Sequence, residues 1–384
     1  MDFDVAIVGG GLAGLSLAVA LRSARLSVAL VEGRRFEPAP GWDARIYAVS
    51  PANVRFLAAL GVWQRLDAAR IAPILAMEIF GDDGGRLDFS ARASGVPALA
   101  WIMESSPLQQ ALLDAAAQQR NLTLLCPARP AALSFDAHRA TLHLDDGRAL
   151  TAKLIVAADG ADSWTRAAAG IEVNFHPYGQ HGVVANFACA RPTAGIACQW
   201  FGADGVLAHL PLPGNLMSIV WATPPAHARE LLALDAASLC ARVAAAGAHR
   251  FGMLELITPP AAFPLRLMRA PHAVATRLAL IGDAAHTIHP LSGHGINLGF
   301  QDARVLAEVL EARPEHVDCG DERWLSRYER LRREEVVALQ WVTDGLQKLF
   351  AQRGQPVSLL RNFGLSLTNR LPFVRDALAR YAMG

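Results

Sequence analysis

Short apolar runs, each stopped by glycine or a carboxylate, punctuate the chain. Asp4–Val8 ends at Gly9-Gly10-Gly11, Leu154–Ala158 at Asp159-Gly160, and Leu278–Ile281 at Gly282-Asp283. Such runs carry no polar alternation, so they predict strands buried on both faces. Leu12–Ser23 has helical composition, and Leu26–Val31 predicts a second strand ending at Glu32. Together these segments form a β-α-β unit. Residues 33–49 show no period and predict a long loop, after which Pro51 opens a helix through Leu60. Leu75–Phe80 and Arg86–Phe89 flank Gly81-Asp82-Asp83-Gly84-Gly85, a hairpin signal. A helix follows over Pro107–Gln119 with Ser106 as N-cap and Pro107 in first position. Next come a strand at Leu122–Leu125 and a meander around Asp145-Asp146-Gly147.

From residue 173 to 223 short β-rich runs alternate with glycine and proline turns, which predicts a separate antiparallel sheet. Leu231–Ala246 reads as one helix, Ile296–Leu310 as another, and Glu322–Phe350 as a single long one. The tail is helical with breaks near Gly354 and Pro372. No repeat or linker divides the chain, so the β-α-β unit is interrupted by the β-rich segments and the domains interleave.

Composition narrows the function classes. The 384 residues are 52% hydrophobic and 18% charged, which excludes a disordered chain and suits two or three domain-sized units. A net charge of +1 gives no footprint for nucleic acid. Five cysteines with no C-x-x-C pair argue against a disulfide scaffold, a zinc ribbon or a dithiol centre, and point to reduced thiols in the cytoplasm. No His/Cys/Asp/Glu cluster has metal spacing, so no metal is expected. Val5–Leu21 is free of charge but short for a membrane span. It carries four glycines and follows acids where a signal peptide has bases, so it reads as neither signal nor span.

Gly9-Gly10-Gly11-Leu12-Ala13-Gly14 fits G-x-G-x-x-G between a strand and a helix, with Glu32 at the end of the next strand. In that context the motif indicates a bound dinucleotide. Gly9 permits the tight turn, Gly11 admits a pyrophosphate to the backbone, and Gly14 allows close helix packing. The helix N-terminus favours the phosphate charge, and Glu32 accepts from ribose hydroxyls. Asp283 offers a second carboxylate at a strand end. After it, Gly293, Gly295 and the following helix start offer N–H groups to an electron-rich carbonyl such as that of a flavin. Only one fingerprint is present, so a reductase with separate FAD and NAD(P)H domains is disfavoured. His286 and His289 in this stretch are candidate bases, although a histidine in a cofactor loop is more often a structural hydrogen-bonder.

These stretches, with Asp159-Gly160-Ala161-Asp162-Ser163-Trp164-Thr165-Arg166, resemble the FAD-dependent aromatic hydroxylases of the p-hydroxybenzoate hydroxylase type. Ala44-Arg45-Ile46-Tyr47-Ala48-Val49-Ser50, Leu60-Gly61-Val62-Trp63, Gly282–Thr287 running into His289-Pro290-Leu291, and Asn297–Asp302 are more similar to the ubiquinone-biosynthesis branch, the UbiH/UbiF/VisC type. The resemblance covers essentially the whole chain.

It implies an α/β fold: a Rossmann-like FAD-binding domain (1–72, 101–172 and 270–320), a mainly antiparallel β substrate domain (73–100 and 173–269) and C-terminal helices (321–384). It implies that Gly9, Gly11, Gly14 and Glu32 hold the ADP half of FAD. Arg45 and Gln109 would contact the cofactor. Asp159 and Gly160, supported by Arg166, would serve FAD and NAD(P)H. Asp283 would bind the ribityl chain, and Pro290 and His289 would lie beside the reactive ring. Gly293, Gly295, Ile296 and Asn297 would line its pyrimidine end. The implied activity is ring hydroxylation with NAD(P)H and O2 through a flavin hydroperoxide, on a prenylated phenol of ubiquinone synthesis. A soluble aromatic substrate, or a non-catalytic flavin scaffold or redox sensor, is the alternative. Trp200, Phe201, Leu210 and Trp221 are candidate pocket walls as well as ordinary core. The last 40 residues carry Lys348, Arg353, Arg361, Arg370, Arg375 and Arg380 against Asp376 alone. Such a basic, apolar tail suits the inner-membrane surface of a bacterium or a biosynthetic partner, and equally a packed amphipathic helix. The sequence leaves the number of subunits open.

Overall fold

The computed structural model describes residues 1–38, 41–81, 84–202, 204–288 and 295–351, excepting the side chains of residues 342 and 346–351. In chain order the elements are β1 (Asp2–Val8), α1 (Leu12–Ala20), β2 (Val28–Val31), β3 (Ile46–Val49), α2 (Pro51–Ala59), β4 (Ala72–Ile74), β5 (Ala76–Phe80), β6 (Arg86–Ser90) and β7 (Ala100–Glu104). Then come α3 (Ser105–Ala117), β8 (Leu122–Leu125), β9 (Pro130–Phe135), β10 (Ala140–Leu144), β11 (Ala149–Ala157), α4 (Trp164–Ala168), β12 (His176–Cys189), β13 (Ile196–Gly202), β14 (Gly205–Leu212) and β15 (Leu216–Thr223). The chain continues through α5 (Pro225–Ala233), α6 (Ala236–Ala246), β16 (Leu254–Leu256), β17 (Ala261–Arg269), β18 (Val274–Ala275), β19 (Leu278–Leu280), β20 (His286–Thr287), α7 (Gly295–Glu311) and α8 (Glu322–Ala351).

Among the described residues the strands form three sheets. The first runs β18-β19-β11-β1-β2-β8, and its pairings β19·β11, β11·β1, β1·β2 and β2·β8 are all parallel. Each apolar run is buried on both sides, as its lack of alternation requires. Val5, Ile7, Val28, Leu30, Leu154 and Val156 pack on α1, α3 and α7. Ala6, Val8, Ala29, Val31, Ile155 and Ala157 face the β9–β10–β11 meander. Strand order and direction bring the carboxyl ends of β1, β2, β11 and β19 to one edge. In parallel α/β sheets that edge is where ligands bind.

The second sheet, β20-β17-β12-β15-β14-β13-β5-β6 with β16 beside β12, is antiparallel apart from β13·β5. The period of two divides it into faces. Val183, Phe187, Cys198, Met217, Ile219 and Trp221 pack under α5 and α6, with Trp200 against them. Ala197, Leu210, Leu212 and Leu216 face instead the small β3-β7-β4 sheet. Trp200 and Trp221 therefore belong to the helix-covered core and are not walls of a site between the sheets. Phe201 and Leu210 lie on the inner face.

The structure differs from the sequence expectations in three places. Residues 46–49 form β3, because pairing with β7 supplies order that four residues do not signal locally. Leu231–Ala246 belongs to two helices: α5 ends at Ala233, and Asp235 caps α6 by accepting from Ser238 N at 2.8 Å. Helix α3 begins at Ser105, not after Ser106. The amide and hydroxyl of Ser106 both donate to Asp43, so its side chain is not free to cap. The tail after residue 351 lies outside the described residues. Among those described, no helix is long and apolar enough to cross a membrane, and no acid, histidine and cysteine group has the arrangement to hold a metal.

Among the described residues, the helix-covered face of the second sheet buries a histidine without a polar partner. His209 is 2% exposed, wedged against Trp200 and Phe251, and neither ring nitrogen has a partner. Burial drives its pKa down to about 3. Between pH 6.5 and about 3 the unfolded chain binds this proton and the native one does not, so stability falls as pH drops through that window. The slope is roughly 1.4 kcal/mol per pH unit. Melting curves of the wild type and His209→Phe between pH 7 and 4.5 test this. The variant is expected to lose less stability on acidification, and parallel losses would clear His209 of any role.

Candidate functional site

The fingerprint turn is shaped by backbone sterics. Gly9 has φ +111°, and a Cβ on it would lie 2.4 Å from the Ala158 carbonyl oxygen, while one on Gly14 would lie 2.0 Å from Gly9 O. Both must be glycine for β1, α1 and β11 to meet. Gly11 differs: it caps α1 with extended backbone, and a Cβ there would touch nothing within 4 Å. No protein atom demands this glycine. It opens space in front of a helix N-terminus whose N–H groups have no side-chain cap.

Glu32 closes this turn. Its Oε2 accepts from Gly10 N at 2.7 Å and its Oε1 from Arg34 N at 2.9 Å, leaving lone pairs for further donors. Gln109, on α3, donates from Nε2 to Gly10 O at 2.8 Å and so braces the turn.

Across the same edge, Gly282 bends the chain at φ +59° after β19 and brings Asp283 to the strand ends. A Cβ on Gly282 would lie 3.1 Å from the Ala13 Cβ, and one on Gly299 would lie 3.4 Å from it, so α1 and α7 start side by side. Asp283 is exposed to solvent yet has Arg45, His286, Arg266 and Asp302 as charged neighbours, which places it in a cleft at this edge. Burial raises its carboxyl pKa, against the pull of His286, Arg45 and Arg266, while Asp302 adds to the rise. A carboxylate so placed is an acceptor whose charge is favoured by hydroxyl donors.

Tyr47, on β3, and Arg45, just before it, reach the same cleft. The Tyr47 phenol is pushed up by burial and by Asp283, against Arg45 and a hydrogen bond with Ser105. The loop before β3 is held from several directions. Arg70 donates to both oxygens of buried Glu104 at 2.6 Å, and Glu104 Oε1 accepts from Asp43 N at 2.7 Å. Asp43 accepts from Ser106 and from Arg45 N, and its carbonyl accepts from Asn186 Nδ2 at 2.9 Å. Asn186 belongs to the inner face of the second sheet, so this loop joins the two sheets beside Arg45.

The remaining candidates are placed as follows. Asp159 spends its carboxylate on the chain: one oxygen accepts from Ser163, the other from Thr165 N and Oγ1 at 2.9 Å. With Gly160 at φ +87° it shapes the turn after β11. Buried Arg166 donates to Ala161 O and Ala284 O, tying that turn to the Asp283 turn. Gly295 and Ile296 begin α7 in line with the cleft. The Asn297 side chain accepts from Ser50 N and Asn53 and donates to Ala48 O, and its carbonyl accepts from Asn53 Nδ2 at 3.2 Å, so it ties the start of α7 to the start of α2. His289, Pro290 and Gly293 lie outside the described residues. His286 is a structural histidine, its Nε2 2.7 Å from Asp302 Oδ2.

Sequence reasoning missed Tyr47, the Arg70–Glu104–Asp43 clamp and Asp302. Asp302 is fully buried and accepts from Gly282 N (2.9 Å), His286 and Arg332 Nε (2.7 Å). Burial opposes its charge, but His286 and Arg332 hold its pKa down to about 2. Residues 297–302 stand out in the sequence, but nothing there couples them to Arg332.

The residues brought together fit FAD. The open cradle at Gly11 and helix α1 suit a pyrophosphate, the Glu32 side suits a ribose, and the accessible Asp283 carboxylate suits a polyhydroxylated chain. Comparison with known proteins agrees. A family model described as FAD binding domain matches residues 2–340. The chain is 36% identical to ubiquinone hydroxylase UbiL of Rhodospirillum rubrum, over 99% of this chain and 89% of that one. It is also 36% identical to 3-demethoxyubiquinol 3-hydroxylase of Escherichia coli, over 99% and 98%. Among solved structures, PqsL of P. aeruginosa in complex with 2-aminobenzoylacetate superposes with a TM-score of 0.80 at 25% identity, covering 95% of this chain and 99% of that one.

Proposed function

The chain belongs to the FAD binding domain family, as an FAD-dependent monooxygenase, and from that membership we propose that it hydroxylates the ring of a polyprenylated phenol in ubiquinone synthesis. The observation that carries this reading is 36% identity, over 99% of this chain, to each of two relatives named as ubiquinone-pathway hydroxylases. FAD, when bound, supplies electron transfer from NAD(P)H and activation of O2. The chain's own residues bind, orient and exclude water. Gly9, Gly11, Gly14 and Glu32 hold the ADP half, and Gln109 braces their turn. Asp283 takes the ribityl hydroxyls, Arg45 stands beside it, and Gly295, Ile296 and Asn297 offer backbone at the ring end. Asp159 and Gly160 shape the adjoining turn. Pro290, His289 and Gly293 complete the ring end in this reading.

An apolar substrate is supported by the partly buried Trp42, Ile46, Ala48, Met77, Leu210 and Leu216, which pack where the small sheet meets the inner face of the second sheet. We assign residues 1–72, 101–172 and 270–320 to the FAD-binding domain and 73–100 with 173–269 to the substrate domain. The basic residues beyond 351 are the part we propose meets the membrane surface or a biosynthetic partner.

Deleting the gene in a host without a second copy and analysing its lipid extract by mass spectrometry tests the function. The expected result is accumulation of a prenylated phenol lacking one hydroxyl, which also identifies the carbon. An unchanged quinone profile would overturn the assignment and favour a soluble aromatic, the kind of ligand seen with PqsL.

A further inference from the structure

Four residues of α8 at i+4 spacing, Tyr328, Arg332, Val336 and Gln340, form one buried ridge. Two of them end directly on one strip of chain, and a third reaches it through Asp302. Tyr328 Oη donates to Leu280 O at 2.8 Å. Arg332 Nε donates to Asp302 Oδ1 at 2.7 Å, and Asp302 Oδ2 accepts from Gly282 N and binds His286. Gln340 Nε2 donates to Thr287 O at 3.2 Å and Met268 O at 3.0 Å. Val336 packs with Leu298 at the start of α7. The strip 280–287 is thus fastened at both ends and in the middle, and Asp283 lies within it. Asp283 itself has no side-chain partner among the described residues, so its direction is set by these neighbours.

We propose that the Tyr328–Arg332–Val336–Gln340 ridge is a splint that positions the Asp283 carboxylate for the flavin, with Arg332, acting through Asp302, as the principal positioning residue. This deepens the reading of Asp283 given above and rests on it. The Arg332 guanidinium is fully committed: Nη1 also donates to Gln301 Oε1 at 2.9 Å and to Glu335, and Nη2 points to Leu298 O. A lysine keeps the charge opposite Asp302 but not this fork.

The test is a double-mutant cycle read as FAD affinity, by titrating the apoprotein and following flavin fluorescence and the visible spectrum of the bound flavin. Asp283→Asn and Arg332→Lys are each expected to weaken FAD about tenfold. The Arg332→Lys spectrum should shift toward that of free flavin. The double variant should be no weaker than Asp283→Asn alone, because Arg332 acts through that carboxylate. Additive losses, or a lower Tm with unchanged affinity in Arg332→Lys, would overturn the proposal and reduce the ridge to a structural prop. Gln340→Leu is the second variant if the lysine protein does not fold: threefold weaker binding supports the splint, and unchanged binding overturns it. If Asp283→Asn binds FAD like the wild type, the role of Asp283 falls and the splint with it. If only Arg332→Lys and Gln340→Leu are silent, the flavin reading stands and the splint alone fails.

Discussion

Gly11→Val abolishes FAD binding and leaves the apoprotein folded. That is the expected result of a position where the backbone is extended, at φ −73° and ψ −177°, and a Cβ would meet no protein atom within 4 Å. Valine adopts such backbone without strain. Its side chain then fills the space before the N-terminus of α1, where the pyrophosphate must reach the N–H groups. An affinity loss of at least about a hundredfold, with Tm of the apoprotein within roughly 2 °C of wild type, follows from steric exclusion alone. The contrasting variant is Gly14→Ala. Its Cβ would sit 2.0 Å from Gly9 O, so it is expected to damage the apoprotein itself. The pair separates a glycine kept for the ligand from one kept for the fold. Wild-type FAD affinity in Gly11→Val would remove the pyrophosphate from this turn.

Asp302→Ala produces the largest loss of stability of any single substitution considered. The carboxylate is fully buried and answers three donors: Gly282 N, His286 and Arg332. Removing it leaves the 4%-exposed Arg332 with a strongly reduced counter-charge and Gly282 N without its acceptor. Breaking a buried pair from one side costs about 3–5 kcal/mol, which in a protein of this size is about 5 °C in Tm. Replacing both partners, Asp302→Leu with Arg332→Met, is expected to recover most of that loss, since no charge is then stranded. Scanning calorimetry of the three apoproteins decides it. A double variant as unstable as Asp302→Ala would mean that Gly282 N and His286, rather than Arg332, set the cost.

How far the site was legible follows from how local each signal is. The Gly9–Gly14 turn was readable because its constraints act within one strand and one helix. Glu32 was readable because the next parallel strand fixes its distance. Asp283 was readable from its place after a buried strand, whereas Arg45 was found by resemblance, and the structure brings the two to one cleft, just before β3 and just after β19. Asp302 and Arg332 were out of reach: their pairing depends on α7 and α8 packing together. The aromatics show a subtler limit. Trp200 and Phe201 were both read as candidate walls; neighbours on a strand point to opposite faces, and α5 and α6 cover the face holding Trp200. Strand β3 was invisible because its partner, β7, lies more than fifty residues away.

The interleaving of the parallel sheet also constrains how the protein is made. β1 is synthesised before the other strands, yet it sits between β2 and β11, and β19 joins only after all of the second sheet except β20 has been synthesised. Helix α1 packs against α7, whose Gly299 approaches Ala13. The nascent chain therefore carries a complete glycine motif long before it has a cleft. During that interval its apolar strand has an unpaired edge, of the kind chaperones shield. Cofactor capture is accordingly a late event, coupled to completion of the chain and not to emergence of the motif that recognises it.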